Sequence, residues 1–443
     1  MKQKRVSVIG LGKLGLNMAA CMAYKGYEII GVDSNTTLID KLKRGESPLY
    51  EPGLREMLEK AAPHFEVTND IDHAVKNSDI IFIFVGTPST NDGSFSSEYV
   101  EVVAKEIGES LKNTDGYRLI VNRSTVMPGV TKSIVSSIIE KTSGKTIGQD
   151  FGMCFNPEFM ALGSAIHNFL NPDVIAIGEF DKKSGEILEK MYRDVCDNNP
   201  VIVRTSLTNS EWSKLSLNVF LTLKLSYANA IAEVCEKIED GNVDEISAIL
   251  GHDPRIGRKF LSGAIGYGGP CFPRDTKAFK AFTNAIGTKS ELSDAAEAVN
   301  DRQAEKVVQS VKEILGSIHS KKISVLGVTY KPDTDIVDPS DQLKIVQGLL
   351  KEGADLRLSD PKGMENAKKV LTEGTVEYFE TADQCLQGSD ICILLTPWKD
   401  FTELDAEVFS EKMKTAIVFD CWRVLKNAQQ DSRIEYHAVG LNS

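Results

Sequence analysis

Short apolar runs recur along this chain, each followed by a turn and then by a stretch with helical spacing. Residues 5–10 read as an apolar strand, residues 16–26 as a helix closed by Gly26, and residues 27–33 as a second strand ending in Asp33. Residues 78–85, 119–122 and 151–158 continue the alternation, and the apolar character of 78–85 suits a strand covered on both faces of a parallel sheet. Residues 211–236 contain neither Gly nor Pro and carry apolar side chains around most of the circumference. That pattern predicts a long helix buried in a core or an interface. A second alternation begins near residue 321, with strands at 323–328, 355–360, 390–396 and 416–420 and a helix at 343–350. The predicted class is α/β: two doubly wound parallel-sheet domains joined by a central helical segment with a long buried helix. The expected boundaries are residues 1–205, 206–300 and 301–443.

Length and composition narrow the picture. A chain of 443 residues exceeds what one hydrophobic core serves, which agrees with several domains. No apolar run approaches the roughly 18–20 residues of a membrane span, so no membrane partner is expected. Residues 1–5 lead straight into the first strand, and no signal peptide is expected there. The cysteines (21, 154, 196, 235, 271, 385, 392, 421) form no Cys-x-x-Cys pair and match no histidine spacing. No metal is expected, and a reducing cytoplasmic setting fits. A net charge of −12 argues against a nucleic-acid partner, whose phosphates need a basic surface, but leaves room for a small anion held locally by Arg and Lys.

Candidate chemistry starts at Gly10-x-Gly12-x-x-Gly15, which sits between the first strand and the first helix, with Asp33 ending the next strand. Glycines there let a pyrophosphate approach the helix N-terminus, and the carboxylate can bind both ribose hydroxyls. The unit is the Rossmann dinucleotide pattern. Asp33 opposes a 2′-phosphate, so NAD is favoured over NADP. Thr87 and Thr125 follow predicted strands, where ligands bind; the alternative is a pair of turn hydroxyls bonded locally. Glu158 follows Asn156-Pro157 at the end of another strand. Lys214 and Asn218 lie four apart on the long helix and share a face, where a buried ammonium needs partners or else snorkels to water. Arg255, Arg258 and Lys259 form a compact basic cluster, either solvated surface or the docking point of a negative substrate. Cys271 stands in Gly266-Tyr-Gly-Gly-Pro-Cys-Phe-Pro-Arg-Asp275. Gly268 and Gly269 allow a tight turn and close approach to a ligand, and the prolines restrain the thiol's neighbours. On this stretch alone a rigidly held nucleophile and a Gly-rich turn with a half-buried Cys both stand.

Together these stretches resemble the nucleotide-sugar 6-dehydrogenases, most closely those acting on UDP-glucose. The resemblance rests on Gly10-x-Gly12-x-x-Gly15, Glu51-Pro-Gly-Leu54, Val85-Gly-Thr-Pro88, Ser124-Thr-Val126 and Asn156-Pro-Glu-Phe159. It continues through Lys214-x-x-x-Asn218, Arg255-Ile-Gly257, the Cys271 stretch, Tyr330-Lys331 and Asp360-Pro361. It implies an N-terminal NAD domain, a central helix forming a homodimer core, and a C-terminal domain holding the nucleotide of a UDP-hexose. It also implies that a C6 alcohol is oxidised twice, through a thiohemiacetal and a thioester on Cys271. Lys214 and Asn218 would stabilise oxyanion character, Asp275 would order water and the lysine, Glu158 would serve in acid–base work, and Thr125 would position water. Cofactor contacts are implied at Gly10, Gly12, Lys13, Leu14, Gly15, Asp33, Gly86, Thr87, Thr125, Arg274 and Arg423. Substrate contacts are implied at Glu158, Phe159, Met160, Lys214, Asn218, Arg255, Phe260, Tyr267, Gly268 and Lys331.

The chain departs from that family at several points. Ala161-Leu162 follow Met160, where the family often has an acid, and Asp338 stands where an Arg is expected. Lys13-Leu14 replace the usual Tyr-Val, and Pro270 a common Ser. None of these touches Cys271, Lys214, Asn218 or Asp275; the first two bear on which hexose and base are held. Other sugars (UDP-N-acetylhexosamine, GDP-mannose, TDP-glucose) are the alternatives within this chemistry. A two-electron 3-hydroxyacid or 6-phosphogluconate-type dehydrogenase would need neither Cys271 nor a second nucleotide domain. A non-catalytic nucleotide-sugar binding protein would have no use for the Cys, Lys, Asn and Asp together.

Overall fold

Val6, Val8 and Ile9 are buried, and Gly10 ends their run at a left-handed φ, so strand β1 (Arg5–Ile9) stops where the glycine turn begins. The structure, a computed structural model, describes residues 5–372 and 374–442; the lead-in at residues 1–4 lies outside that range. The chain divides into two compact units, Met1–Leu217 with Lys277–Thr288, and Asn218–Thr276 with Lys289–Ser443.

The first unit is built on an eight-stranded sheet. After β1 come β2 (Glu28–Val32), β3 (Phe65–Thr68), β4 (Ile80–Ile83), β5 (Arg118–Asn122), β6 (Phe151–Phe155), β7 (Val174–Glu179) and β8 (Val201–Ser206). They lie in the order 3-2-1-4-5-6-7-8, parallel except that β7 runs against β6. Ile80 and Phe82 of β4 point into one core and Ile81 and Ile83 into the other, so both faces are covered. The order reverses between β1 and β4, and ligands of such sheets bind beyond the carboxyl ends of the strands at that point.

The second unit repeats the layout with six strands: β9 (Lys322–Leu326), β10 (Asp355–Ser359), β11 (Thr375–Tyr378), β12 (Ile391–Leu394), β13 (Ile417–Asp420) and β14 (Glu435–Ala438). All are parallel, in the order 11-10-9-12-13-14. Ile391 and Ile393 face one core while Cys392 and Leu394 face the other. One mostly parallel sheet, one wholly parallel sheet and a central helix match the predicted class.

Strands β3, β7, β8, β11 and β14 were not predicted. Four of them are half-exposed edge strands, and β3, β11 and β14 hold no unbroken apolar run, while those of β7 (174–177) and β8 (201–203) are only four and three residues long. The long helix spans Leu207–Cys235. Within one chain it is not buried all round: Phe220, Tyr227 and Val234, spaced two turns apart, are 62%, 58% and 58% exposed. The opposite side, with Thr222, Asn229 and Ala232, is buried. Among the described residues no helix is long and apolar enough to cross a membrane.

Candidate active site

In the first unit the glycine turn forms a cradle with three distinct jobs. Gly10 has a φ of 105°, and a Cβ on it would lie 2.2 Å from the Phe84 carbonyl oxygen. A Cβ on Gly15 would lie 2.0 Å from the Gly10 carbonyl oxygen. These two glycines let strand, turn and helix meet. Gly12 has nothing within 4 Å, and neither has Gly86 beyond β4, so here the missing side chains leave open space. Lys13 and Leu14 form the first turn of the helix Lys13–Tyr24, the end that favours an anion. Asp33, just past β2, accepts the Leu11 N–H at 2.8 Å and the Asn35 N–H at 2.9 Å, which fixes its carboxylate beside the turn. An open, glycine-walled space at a helix N-terminus with a fixed carboxylate fits NAD.

Further along the same edge, the Thr87 hydroxyl donates to the Thr125 carbonyl at 2.7 Å, joining two residues that the sequence offered separately. Both are therefore locally bonded as well as placed beyond the strand ends. Glu158 is 5% exposed. One of its carboxylate oxygens accepts from Arg123 and the other from the Met160 N–H. Its main-chain carbonyl accepts the Lys214 ammonium at 2.5 Å, and that ammonium also lies 5.5 Å from the centroid of the Phe159 ring. The buried lysine therefore has partners instead of reaching for solvent.

Arg123 was not singled out from the sequence. It is 4% exposed and donates to Asn156, Tyr192 and Glu158, with its guanidinium 5.3 Å over the Phe84 ring. Burial works against its charge, and Glu158 and Tyr192 beside it more than restore it. An Arg ending a strand and followed by Ser124-Thr125 carries no signal in one sequence; only folding brings Asn156 and Tyr192 to it.

In the second unit the cysteine loop is seated by its own main chain. The Gly266 N–H donates to Asp341 at 2.7 Å, the Tyr267 N–H to Asn300 at 2.6 Å and the Gly269 N–H to the Pro339 carbonyl at 2.8 Å. A Cβ on Gly268 would lie 2.8 Å from Ser340 Cα. One on Gly269, whose φ is 82°, would lie 2.6 Å from the Tyr330 ring. The close approach expected of these glycines is thus to protein, because the loop after β9 packs on them. Cys271 is exposed and immediately precedes the helix Phe272–Ala285. Its carbonyl accepts the Asp275 N–H at 2.8 Å, so Cys271 stands at the N-terminus of that helix.

Asp275 is wholly buried. One oxygen accepts the Asn218 amide at 2.6 Å, and the other accepts Arg274 at 3.1 and 3.2 Å. Tyr267 and Phe260 meet Phe272 edge-on at 6.1 and 6.3 Å, and burial pushes the Tyr267 phenol up to about 12. Arg255 points to solvent and chelates Asp253 at 2.6 Å. Lys331 is half-buried in the loop after β9. Arg423, past β13, grips Asp244 through two bonds at 2.9 and 3.0 Å and the Val439 carbonyl at 2.7 Å. Its guanidinium ties that loop to the helix Val243–His252.

The second sheet has its own acid at the position of Asp33. Asp360, past β10, accepts from the N–H groups of Val328, Thr329 and Gly363 and from the Trp398 indole, at 2.6 to 3.1 Å. This carboxylate fills its own turn, whereas Asp33 leaves the glycine turn open.

Comparison with known proteins places the chain. The NAD binding domain of the UDP-glucose/GDP-mannose dehydrogenase family matches residues 4–196, its central domain residues 208–302 and its UDP binding domain residues 324–427. The UDP-glucose 6-dehydrogenase TuaD of Bacillus subtilis is 35% identical over 440 residues, covering 99% of this chain and 93% of the relative. The UDP-glucose 6-dehydrogenase AglM of Haloferax volcanii is 34% identical over 95% of this chain and 97% of its own length. Among solved structures, a UDP-glucose dehydrogenase from the archaeon Pyrobaculum islandicum superposes with a TM-score of 0.89 at 32% identity, covering 99% of this chain and 98% of that one. A UDP-D-ManNAc dehydrogenase from Pyrococcus horikoshii gives a TM-score of 0.83 at 25% identity, over 98% and 99%. The chain belongs to the UDP-glucose/GDP-mannose dehydrogenase family and is an NAD-dependent nucleotide-sugar dehydrogenase.

Proposed function

We propose that this chain oxidises the C6 alcohol of a nucleoside-diphospho-hexose, UDP-glucose before others, to the carboxylate in two steps through Cys271. The observation that carries the reading is the bonded path within the second unit from Cys271 through Asp275 to Asn218. It links an exposed thiol at a helix N-terminus to the face of the long helix that also carries Lys214. The first oxidation leaves an aldehyde. The Cys271 thiolate adds to its carbon to give a thiohemiacetal, and loss of a hydride from that carbon leaves a thioester on Cys271. Lys214 and Asn218 stabilise the negative oxygen at each stage. Water held by Asp275 and Thr125 cleaves the thioester with Glu158 in the proton transfers, and the thiolate departs. Gly10, Gly12, Gly15, Asp33 and Gly86 would hold NAD, which would supply the hydride acceptor for both oxidations, two per sugar.

The three expected segments keep their roles in this reading: residues 1–205 for NAD, 206–300 for the central helix and cysteine, and 301–443 for the nucleotide. The exposed Phe220, Tyr227 and Val234 would pair with a second copy, making a homodimer through the long helix. The reading places the reaction in the cytoplasm. An NADH absorbance assay across UDP-glucose, UDP-N-acetyl sugars, GDP-mannose and TDP-glucose tests it. Turnover is expected with at least one of them, UDP-glucose first, and no turnover with any would refute it.

A further inference from the structure

We propose that Arg123 is a positioning residue for this reaction, acting on Glu158 and through it on Lys214; the inference rests on the function proposed above. Three observations carry it. The guanidinium is itself fixed on several sides, by Asn156, by the Tyr192 hydroxyl and by the face of Phe84. Asn156 is held in turn by donating to the Ala176 carbonyl at 2.8 Å on the neighbouring strand β7. The other terminal nitrogen of Arg123 donates to the Glu158 carboxylate, whose second oxygen takes the Met160 N–H. Glu158 is thus gripped by side chain, and its main-chain carbonyl is where the Lys214 ammonium is anchored.

The setting matters as much as the contacts. Phe84, Arg123, Asn156 and Glu158 follow β4, β5 and β6, beyond the carboxyl ends of adjacent strands and beside the sheet's switch point. A buried ion pair is a poor device for stability, because an apolar pair of similar volume does as well. One retained here serves geometry instead: it holds an acid and, one bond further on, a lysine in the places a reacting sugar needs. A planar guanidinium suits the task because its donors are fixed in direction. Arg123 touches neither sugar nor coenzyme in this scheme; its effect runs wholly through Glu158.

The test uses the full chain with UDP-glucose, or whichever sugar the assay above identifies, and compares Arg123→Met, Arg123→Lys, Glu158→Gln and the double variant Arg123→Met/Glu158→Gln. For Arg123→Met, kcat is expected to fall about 100-fold with KM for sugar and Kd for NAD within about 3-fold, because only placement of reacting groups is lost. Arg123→Lys should recover to within about 10-fold of the native kcat by restoring the charge. The double variant should match Glu158→Gln within about 2-fold, the non-additivity expected if one residue acts through the other. Should Arg123→Met fail to fold, the double variant, which buries no unpaired charge, carries the comparison. A folded Arg123→Met with native kcat overturns the proposal, as does a double variant about 10-fold or more below Glu158→Gln. A native chain that oxidises none of the sugars overturns the functional reading and this inference with it; native turnover with either of those variant results overturns the inference alone.

Discussion

The Asn218 side-chain amide donates to the buried Asp275 carboxylate at 2.6 Å, and the Asp275 N–H donates to the carbonyl of Cys271 at 2.8 Å. One carboxylate thus connects the long helix to the base of the cysteine loop. Converting Asp275 to Asn keeps the shape and removes the charge. We expect Asp275→Asn to lower kcat by about 100-fold or more, the usual size of a lost proton-handling group, while NAD binding followed by fluorescence stays at the native level. A native kcat in that variant would remove Asp275 from the chemistry.

The glycine turn separates fold from cofactor binding in one pair of substitutions. Gly12→Val enters open space, so we expect an unchanged melting temperature and a KM for NAD raised by about 10-fold or more. Gly15→Val drives a side chain into the Gly10 carbonyl oxygen, so we expect a loss of stability of about 2 kcal/mol or more in urea unfolding. Similar effects from both variants would contradict the division of labour among these glycines.

The long helix makes a prediction about assembly. Phe220 and Tyr227 lie two turns apart on its exposed side, each more than half accessible. A charge at the centre of such a face disfavours pairing with a second copy. Phe220→Glu is expected to shift the sedimentation coefficient from a dimer toward a monomer, leaving the far-ultraviolet circular dichroism unchanged. A native chain already monomeric at micromolar concentration would contradict the homodimer.

Asp341 gives a pH dependence. Burial raises its carboxyl above the ordinary range, against the opposing pull of Lys344 and the Gly266 N–H. The folded chain therefore holds this proton more tightly than the unfolded chain does. Its contribution favours folding at low pH and is lost as pH climbs from the unfolded value near about 4 through the raised folded one. Asn cannot titrate, so relative to Asp341→Asn the native chain should lose stability between pH 4.5 and 7.5 in urea unfolding. A difference between the two proteins that is independent of pH would contradict this reading of the buried acid.

What the sequence made legible was whatever is local. The glycine turn and Asp33 could be read because strand, turn, helix and acid follow one another within a short stretch, and each has a backbone reason to be there. Lys214 and Asn218 could be paired because helical spacing puts them on one side. The partners of those residues could not. Nothing local tells that Lys214 will bond a main-chain oxygen at Glu158, or that Arg123 will meet Tyr192 on a helix some seventy residues further on. The glycines around Cys271 suggest room for a ligand, whereas Gly268 and Gly269 make way for Ser340 and Tyr330. Close approach could be inferred from composition, and its object could not. Edge strands such as β8 escaped for a related reason: Val201 and Val203 face solvent, so no buried run marks them.

The central claim is that one thiol carries the sugar between two oxidations. The direct measurement is the ratio of NADH formed to nucleotide sugar consumed, by absorbance and chromatography, in the native chain and in Cys271→Ser. The account predicts two NADH per sugar and a carboxylate product from the native chain, and no sustained turnover to carboxylate in the variant. One NADH per sugar with an aldehyde released by the native chain, or native turnover in Cys271→Ser, would contradict it.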